Sequence, residues 1–159
     1  MEDKKMFKDL RRQDRVLSSE EAKAILKRGK FGVLSVIGEN GYPYGVPVHY
    51  IMLENSLYFH CSSAGGHKVD ALKNNPKICF TVIETEDGIK SQSVIFFGTA
   101  NEVNEKRKML LEKLVEKFVP EIAWENAKQG IPHALNNIFA FELNIEHLSG
   151  KWIDKPEGR

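Results

Sequence analysis

Runs of β-forming hydrophobic residues, bounded by polar turn signals, recur along the chain and are typical of β-strands, and the last of them, over residues 137–148, alternates clearly between hydrophobic and polar residues. The dipeptide Asn40-Gly41 separates two such runs and is the strongest short signal for a β-hairpin. Pro47 lies inside the second run, and because proline cannot donate to a strand ladder, it indicates an edge strand, a bulge or a backbone that faces something other than a strand. The pattern predicts six strands, over residues 31–37, 45–53, 57–61, 78–83, 93–100 and 137–148.

Two segments change to the 3.6-residue period of an α-helix. Ser18 and Glu21 have the spacing of a capping box, and the apolar positions that follow them predict a first helix. The second segment is predicted to be a helical insert over residues 105–130, in which an apolar stripe runs from Leu110 to Phe118. This stripe predicts a surface helix that is docked on the rest of the protein.

The order of these elements favours a mainly β fold. Six strands joined mostly by short turns, with helices only at the ends and corners, indicate an antiparallel β-barrel with peripheral helices rather than a doubly wound α/β fold. A barrel of this size fills its interior with side chains, so a cofactor-sized ligand would lie outside it or between two barrels, which indicates a dimer. No repeat or linker divides the chain, so we expect a single domain over residues 1–159 with an N-terminal arm over residues 1–15.

The composition narrows the classes of function. With 159 residues, 42% of them hydrophobic, and a formal net charge of +1, the chain resembles a folded soluble protein without a nucleic-acid or membrane surface. Its charged N-terminal segment has no apolar stretch behind it, so no signal peptide is expected. Cys61 and Cys79 are too far apart for a Cys-x-x-Cys pair and predict free thiols in a reducing cytoplasm. No histidines have zinc-type spacing, so no metal site is expected.

The segment after the third predicted strand has the residue types of a phosphate-binding loop. Ser62 and Ser63 supply hydroxyls, Gly65 and Gly66 allow backbone N–H groups to approach an anion, and Lys68 supplies positive charge. A short helix is predicted to begin beside this loop, and its first N–H groups and its positive dipole end would form an anion site. The segment matches neither a Walker motif nor G-x-G-x-x-G, so the alternative is an ordinary glycine-rich connection between a strand and a helix.

Several short motifs occur in a fixed order from about residue 11 to Trp152, which is nearly the full chain. They are RRQDR at residues 11–15, YP at 42–43, VPVHY at 46–50, YFH at 58–60, GHK at 66–68, NPKICF at 75–80 and SVIFFG at 93–98. Each motif is short, but the ordered set resembles the nitroimidazole-resistance (Nim) branch of the pyridoxamine-5′-phosphate-oxidase-like, FMN-binding split β-barrels.

The resemblance implies a six-stranded Greek-key split barrel that forms a homodimer, with one FMN in each of two clefts at the subunit interface. The sequence does not clearly require a catalytic acid or base, and the catalytic residues stay unknown. The resemblance assigns contacts with the cofactor to Val46, Pro47 and Val48 through their backbone, to Tyr50 and His60 near the ring or the ribityl chain, to Ser62, Ser63, His67 and Lys68 at the phosphate, and to Ser93 and Trp152 from the partner chain.

The function implied by the resemblance is that of an FMN-dependent oxidoreductase, which passes hydride or electrons from a reduced nicotinamide to a small acceptor such as a nitroaromatic. A non-catalytic flavin-binding protein, such as a sensor or carrier, is an alternative because fold and cofactor do not determine function. Haem or a deazaflavin in the same cleft is another alternative, with His60 and His67 as candidate axial ligands of the haem.

Overall fold

A computed structural model describes residues 6–86 and 90–154, and for Asp154 only the backbone. Residues 1–5 of the predicted N-terminal arm therefore lie outside the described part. The helices are α1 (Ser19–Arg28), α2 (His67–Asn74), α3 (Arg107–Phe118), α4 (Trp124–Gln129) and α5 (Ile131–Ala134). The strands are β1 (Phe31–Ile37), β2 (Pro43–His49), β3 (Ile51–Leu53), β4 (Ser56–Ser62), β5 (Lys77–Glu86), β6 (Lys90–Glu102) and β7 (Ile138–Asp154).

The strands form one antiparallel sheet in the order β2-β1-β5-β6-β7-β4-β3, which curls into a half-barrel with the helices at its periphery. The described sheet has seven strands, so the prediction of six is wrong by one. The predicted run over residues 45–53 is divided at Tyr50, because β2 pairs with β1 up to His49 whereas β3 pairs with β4 from Ile51 onwards. The chain thus changes neighbours at one residue without a turn signal in the sequence.

Pro47 lies in a strand at the end of the sheet. Within the described residues β2 pairs only with β1, where Pro47 is opposite Val33. An end strand has one edge without a neighbouring strand, so it tolerates a residue that lacks a backbone N–H group. The interpretation of Pro47 as an edge signal is confirmed.

Two hydrophobic clusters hold the sheet and helices together. The main core fills the curled sheet and contains Phe59, Phe80 and Phe96, all fully buried, with the last two stacked at a centroid distance of 5.3 Å. A smaller cluster beneath α3 includes Tyr58 and Leu110. Alternation along β4 sends Phe59 into the main core and Tyr58 toward α3. The side chain of His60 is therefore presented on the α3 side of the sheet.

The first helix begins as the sequence predicts. The Ser18 side chain accepts a hydrogen bond of 3.1 Å from the Glu21 backbone N–H, and the Glu21 carboxylate accepts one of 2.8 Å from the Ser18 N–H. The capping box satisfies two N–H groups that the helix itself cannot pair. In the described part of the chain, no helix is long and apolar enough to cross a membrane.

Candidate ligand-binding site

The loop that follows β4 has a left-handed backbone at two glycines. Gly65 has a φ of 88° and Gly66 a φ of 138°, a region in which a side chain is strained. A Cβ atom at either position would meet no atom within 4 Å, so conformation rather than crowding requires glycine here. The loop is tightened by Ser62, whose carbonyl accepts from the Gly65 N–H at 3.3 Å and whose hydroxyl accepts from the Ala64 N–H at 3.2 Å.

Helix α2 begins directly after this loop, with Gly66 at its N-cap position and no capping side chain among the described residues. Its first N–H groups therefore lack a side-chain acceptor at the positive end of the helix dipole. Ser62 and His67 are exposed and Lys68 is half-buried at the same corner. Hydroxyl, N–H and ammonium donors together can hold a phosphate group.

An apolar groove of about 450 Å³ lies between the sheet and the helical insert, and it includes His60, two residues before Ser62 on β4. His49 and His60 line its sheet side. The His49 ring stacks on Phe118 of α3 at a centroid distance of 4.7 Å. Apart from the two histidines, all of the lining residues are apolar, so the groove can hold a flat, largely apolar ring with a polar side facing the imidazoles.

His60 is affected by its surroundings and by the neighbouring His49. His60 keeps contact with solvent, but the protein around its ring lowers its pKa by desolvation, and the nearby His49 lowers this pKa further by charge repulsion. His60 is therefore neutral at pH 7 and presents one nitrogen as a donor and the other as an acceptor.

Val46, Pro47 and Val48, the three predicted contacts on β2, lie on a strand at the end of the described sheet, and their contact with a ligand stays a prediction. Val46 and Val48 pack their side chains against the main core, and Pro47 between them is exposed. The free edge of β2 offers unpaired backbone groups beside the groove that contains His49. Tyr44 connects this strand to the phosphate corner, because its ring meets His67 edge-on at 4.5 Å.

Tyr50 has a different place from the one that the resemblance implies. Its side chain is fully buried, its hydroxyl donates a hydrogen bond of 2.6 Å to the Leu26 carbonyl, and its ring meets Phe80 edge-on at 5.3 Å. Burial raises the pKa of the phenol. Tyr50 is a core residue, and its side chain is not available to a ligand outside the barrel.

Ser93 and Trp152 do not line the groove in a single chain. Ser93 is buried on β6, opposite Lys151 of β7, whereas Trp152 is opposite Gln92. Since neighbouring residues of a strand face opposite sides of the sheet, Ser93 and Trp152 point in opposite directions. Their predicted contact with a ligand of the partner chain stays a prediction.

The groove also contains residues of the helical insert that the sequence analysis did not name as candidate site residues, and Lys117 holds this insert in place. Phe118 and Ile131 line the groove together with the two histidines. Lys117 donates hydrogen bonds to the carbonyls of Gly29 and Tyr50 and so fixes α3 against the sheet. The apolar stripe of α3 was the available signal, but it could not show that part of the stripe lines a groove. In the described part of the chain, no group of three His, Cys, Asp or Glu residues is placed to hold a metal ion.

Comparison with known proteins shows similarity over most of the chain. Residues 18–152 match the model of a family described as pyridoxamine 5′-phosphate oxidase. An uncharacterized protein of Rhizobium meliloti (strain 1021) is 32% identical over 89 residues, a match that covers 56% of this chain and 57% of that protein. The match thus spans little more than half of the relative's length.

Solved structures share the fold at low sequence identity. A proposed 5-nitroimidazole antibiotic resistance protein of Bacteroides thetaiotaomicron is 18% identical with a TM-score of 0.69, and the match covers 86% of each chain. A FAD-binding protein of Mesorhizobium loti is 24% identical with a TM-score of 0.66, covering 88% of this chain and 98% of that one. A FAD and heme binding protein of Mycobacterium smegmatis is 18% identical with a TM-score of 0.68, covering 87% and 72%. The predicted split-barrel fold is confirmed.

Proposed function

Because the chain belongs to the pyridoxamine 5′-phosphate oxidase family, we propose that it binds FMN and passes hydride or electrons from a reduced nicotinamide to a small acceptor such as a nitroaromatic. The observation that carries this proposal is the glycine-rich corner over residues 62–68, where α2 begins without a capping side chain among the described residues, on the same strand end as His60 of the apolar groove. The flavin-binding solved structures support a flavin in this fold, and the Bacteroides protein supports the choice of acceptor.

The corner fits the phosphate end of FMN. The Ser62 hydroxyl, the first N–H groups of α2 and the Lys68 ammonium are donors that lie within one short stretch of chain at the junction of β4 and α2. Ionised phosphate strengthens each of these hydrogen bonds. The two left-handed glycines keep side chains away from the backbone, so the anion can approach the N–H groups directly.

The groove and the free edge of β2 fit the ring. Unpaired backbone groups of β2 can hydrogen-bond the polar edge of a flavin, while Phe118 and the aliphatic residues of the insert cover an apolar surface. The bound flavin would supply the electron-transfer chemistry, and the chain supplies position, exclusion of water and a neutral imidazole at His60.

The homodimer is part of the same proposal. The outer face of β1 and β5 exposes Phe31, Val33, Ile37 and Ile83, with exposed fractions of 62%, 39%, 45% and 67%. Scattered apolar residues are normal on a surface, but four on neighbouring strands of one face form a patch of the kind that a partner covers. A second copy on this face would bury the patch and close a cleft for the cofactor.

We also place the protein in the cytoplasm. Cys61 is buried and Cys79 half-buried, and both are free thiols. Burial raises the pKa of each thiol, which disfavours the reactive thiolate. Unpaired cysteines of this kind are usual in a reducing compartment.

The proposal is tested on the purified protein by its visible spectrum, before and after addition of FMN. Bound FMN gives flavin absorbance that remains with the protein after desalting, and native mass spectrometry gives two chains with two cofactors. Oxidation of NADH or NADPH is then followed with a nitroaromatic present and absent. A protein that neither contains nor retains FMN would contradict the proposal, and retention without turnover would identify a flavin carrier or sensor.

Haem is a second candidate, favoured by His60 facing an apolar groove and by the Mycobacterium neighbour that binds FAD and heme. The predicted second axial ligand is not in that groove, since His67 packs against Tyr44, whereas His49 lies beside His60. Addition of haemin would give a Soret band that moves in His60→Ala, and an unperturbed haemin spectrum would exclude this candidate.

A further inference from the structure

A positively charged cavity of about 250 Å³ lies between the N-terminal arm and the end of β7. It is separate from the groove described above and shares no lining residue with it. Its polar lining consists of cations and one aromatic residue, namely Arg11, Arg12, Arg15, Lys151 and Trp152.

The backbone holds these cations together. The arm forms a short 3-10 helix over Gln13–Arg15, after which Val16 forms a β-bridge with Lys151. The next residue, Leu17, is buried and donates its N–H to the Gly150 carbonyl at 2.9 Å. The arginines of the arm are thus brought to Lys151 and Trp152 by pairing with β7, not by the flexibility of long side chains.

Most of the charge in this cavity is unpaired. Arg12 is held by Asp14 through two hydrogen bonds of 2.9 and 2.7 Å. Within residues 6–86 and 90–154, Arg11, Arg15 and Lys151 form no ion pair, and the lining contains no carboxylate. Three cations around one cavity repel one another, in a chain whose formal net charge is only +1. An anion that enters the cavity relieves this repulsion.

The aromatic wall narrows the class of anion. Trp152 has an exposed fraction of 36%, so part of its indole is free to stack on a flat ring. Arginine guanidinium groups bind phosphate oxygens in a bidentate manner and also stack on planar groups. A ligand that combines phosphate with an aromatic base meets all of these features.

We propose that this cavity binds the adenosine-phosphate half of a dinucleotide. The proposal rests on the proposed function, because both a reduced nicotinamide dinucleotide and FAD contain this half. Trp152 stacks on the adenine, and Arg11 and Arg15 hold the phosphates, while Lys151, on the other face of β7, adds positive charge nearby. In the first case the cavity captures the electron donor, and in the second it extends the cofactor site beyond FMN.

The test is isothermal titration calorimetry of the purified protein with ADP, with adenosine as the uncharged control. We expect saturable binding of ADP that is weakened at least tenfold in Arg11→Gln/Arg15→Gln and retained in Arg11→Lys/Arg15→Lys. The matched control is Lys27→Gln/Lys77→Gln, which removes the same charge at exposed positions outside the cavity. Absence of saturable binding, or equal loss in the control, would overturn the proposal.

Trp152→Ala separates stacking from charge. This substitution should weaken the binding of ADP at least tenfold and leave the affinity for inorganic pyrophosphate unchanged. An equal loss of affinity for both ligands would contradict the role of Trp152 in binding the base. Competition experiments then identify which dinucleotide binds in the cavity. Displacement of ADP by NADPH would identify the electron donor as the ligand, and displacement by FAD would identify the cofactor. If neither displaces ADP, the proposal of a dinucleotide is overturned.

Flavin content is measured by absorbance in the same samples. ADP binding by a protein that does not retain flavin would contradict the proposed function alone, and flavin retention without ADP binding would contradict this inference alone.

Discussion

The ammonium nitrogen of Lys117 lies 4.5 Å from the centroid of the Tyr50 ring and donates a hydrogen bond of 2.9 Å to the Tyr50 carbonyl. It also donates to the Gly29 carbonyl, the residue that follows α1. The side chain of Lys117 therefore joins α3 to the end of α1 and to Tyr50, the residue between β2 and β3. Phe118, the next residue, is thereby held against His49 in the wall of the groove.

The first prediction concerns this lysine and pH. Burial lowers the pKa of Lys117 from 10.5 to about 8, with a further contribution from Lys30. Between these values the unfolded chain binds more protons than the folded one, so the free energy of unfolding contributed by Lys117 rises with pH. Below pH 8 both states are protonated and the full cost of burying the charge remains.

We expect the difference in unfolding free energy between the wild type and Lys117→Met to shift in favour of the wild type as pH increases from 8 to 10. A neutral amine still donates to carbonyls, so the contacts of Lys117 with the backbone persist at the higher pH. Urea denaturation of both proteins across this range provides the measurement. A difference that is constant with pH would show that the lysine is not desolvated.

The second prediction concerns the proposed contact between Lys68 and the phosphate of FMN. Lys68→Ala removes one charge-assisted hydrogen bond and should cost about 1.5–3 kcal/mol of FMN binding, which is roughly a 10- to 150-fold increase in Kd. Lys73→Ala, on the same helix but farther from its N-terminus, is the matched control and should leave Kd nearly unchanged. Fluorescence titration with FMN measures both constants. An unchanged Kd for Lys68→Ala would remove Lys68 from the site.

The third prediction concerns the pair of histidines. His49→Gln removes the repulsion from a neighbouring imidazolium and should raise the pKa of His60, although desolvation, the larger cause, keeps this pKa below 6.5. Titration of the imidazole C–H signals by NMR reports the change. His147→Gln is the control, because its ring stacks on Phe7 instead. The same shift in both variants would point to a general effect of charge.

The fourth prediction concerns the outer face of the sheet. Val33→Glu/Ile83→Glu places two carboxylates in the exposed apolar patch and should weaken dimerisation at least 100-fold, with loss of the bound flavin. Ile122→Glu is the control, since Ile122 is 97% exposed and lies in the helical insert rather than on β1 or β5. Analytical ultracentrifugation measures the assembly and circular dichroism checks the fold. A dimer that survives the double substitution would exclude this face as the interface.

Much of the fold was accessible from local patterns. The capping box at Ser18 and Glu21 and the hairpin at Asn40-Gly41 each depend on hydrogen bonds among a few neighbouring residues, and the missing N–H group of Pro47 restricts it to an edge strand wherever the sheet ends. The family predicted from the ordered motifs is confirmed by the match over residues 18–152. The glycine-rich corner after Ser62 was also readable, because a left-handed backbone demands glycine wherever it occurs.

The sequence by itself therefore determined the strand and helix patterns, the helix cap and the glycine-rich corner after Ser62, since these are properties of short segments. Only the tertiary structure decided that the chain changes its strand partner at Tyr50 and that His49 lies beside His60. It also decided that Lys117 binds the Tyr50 carbonyl and that the arginines of the N-terminal arm lie next to the end of β7. Those contacts join residues 11 to more than 130 positions apart, and they depend on how the sheet curls and where its edges end. The pattern of hydrophobic residues in a single strand does not predict these contacts, because the same pattern is compatible with several strand partners.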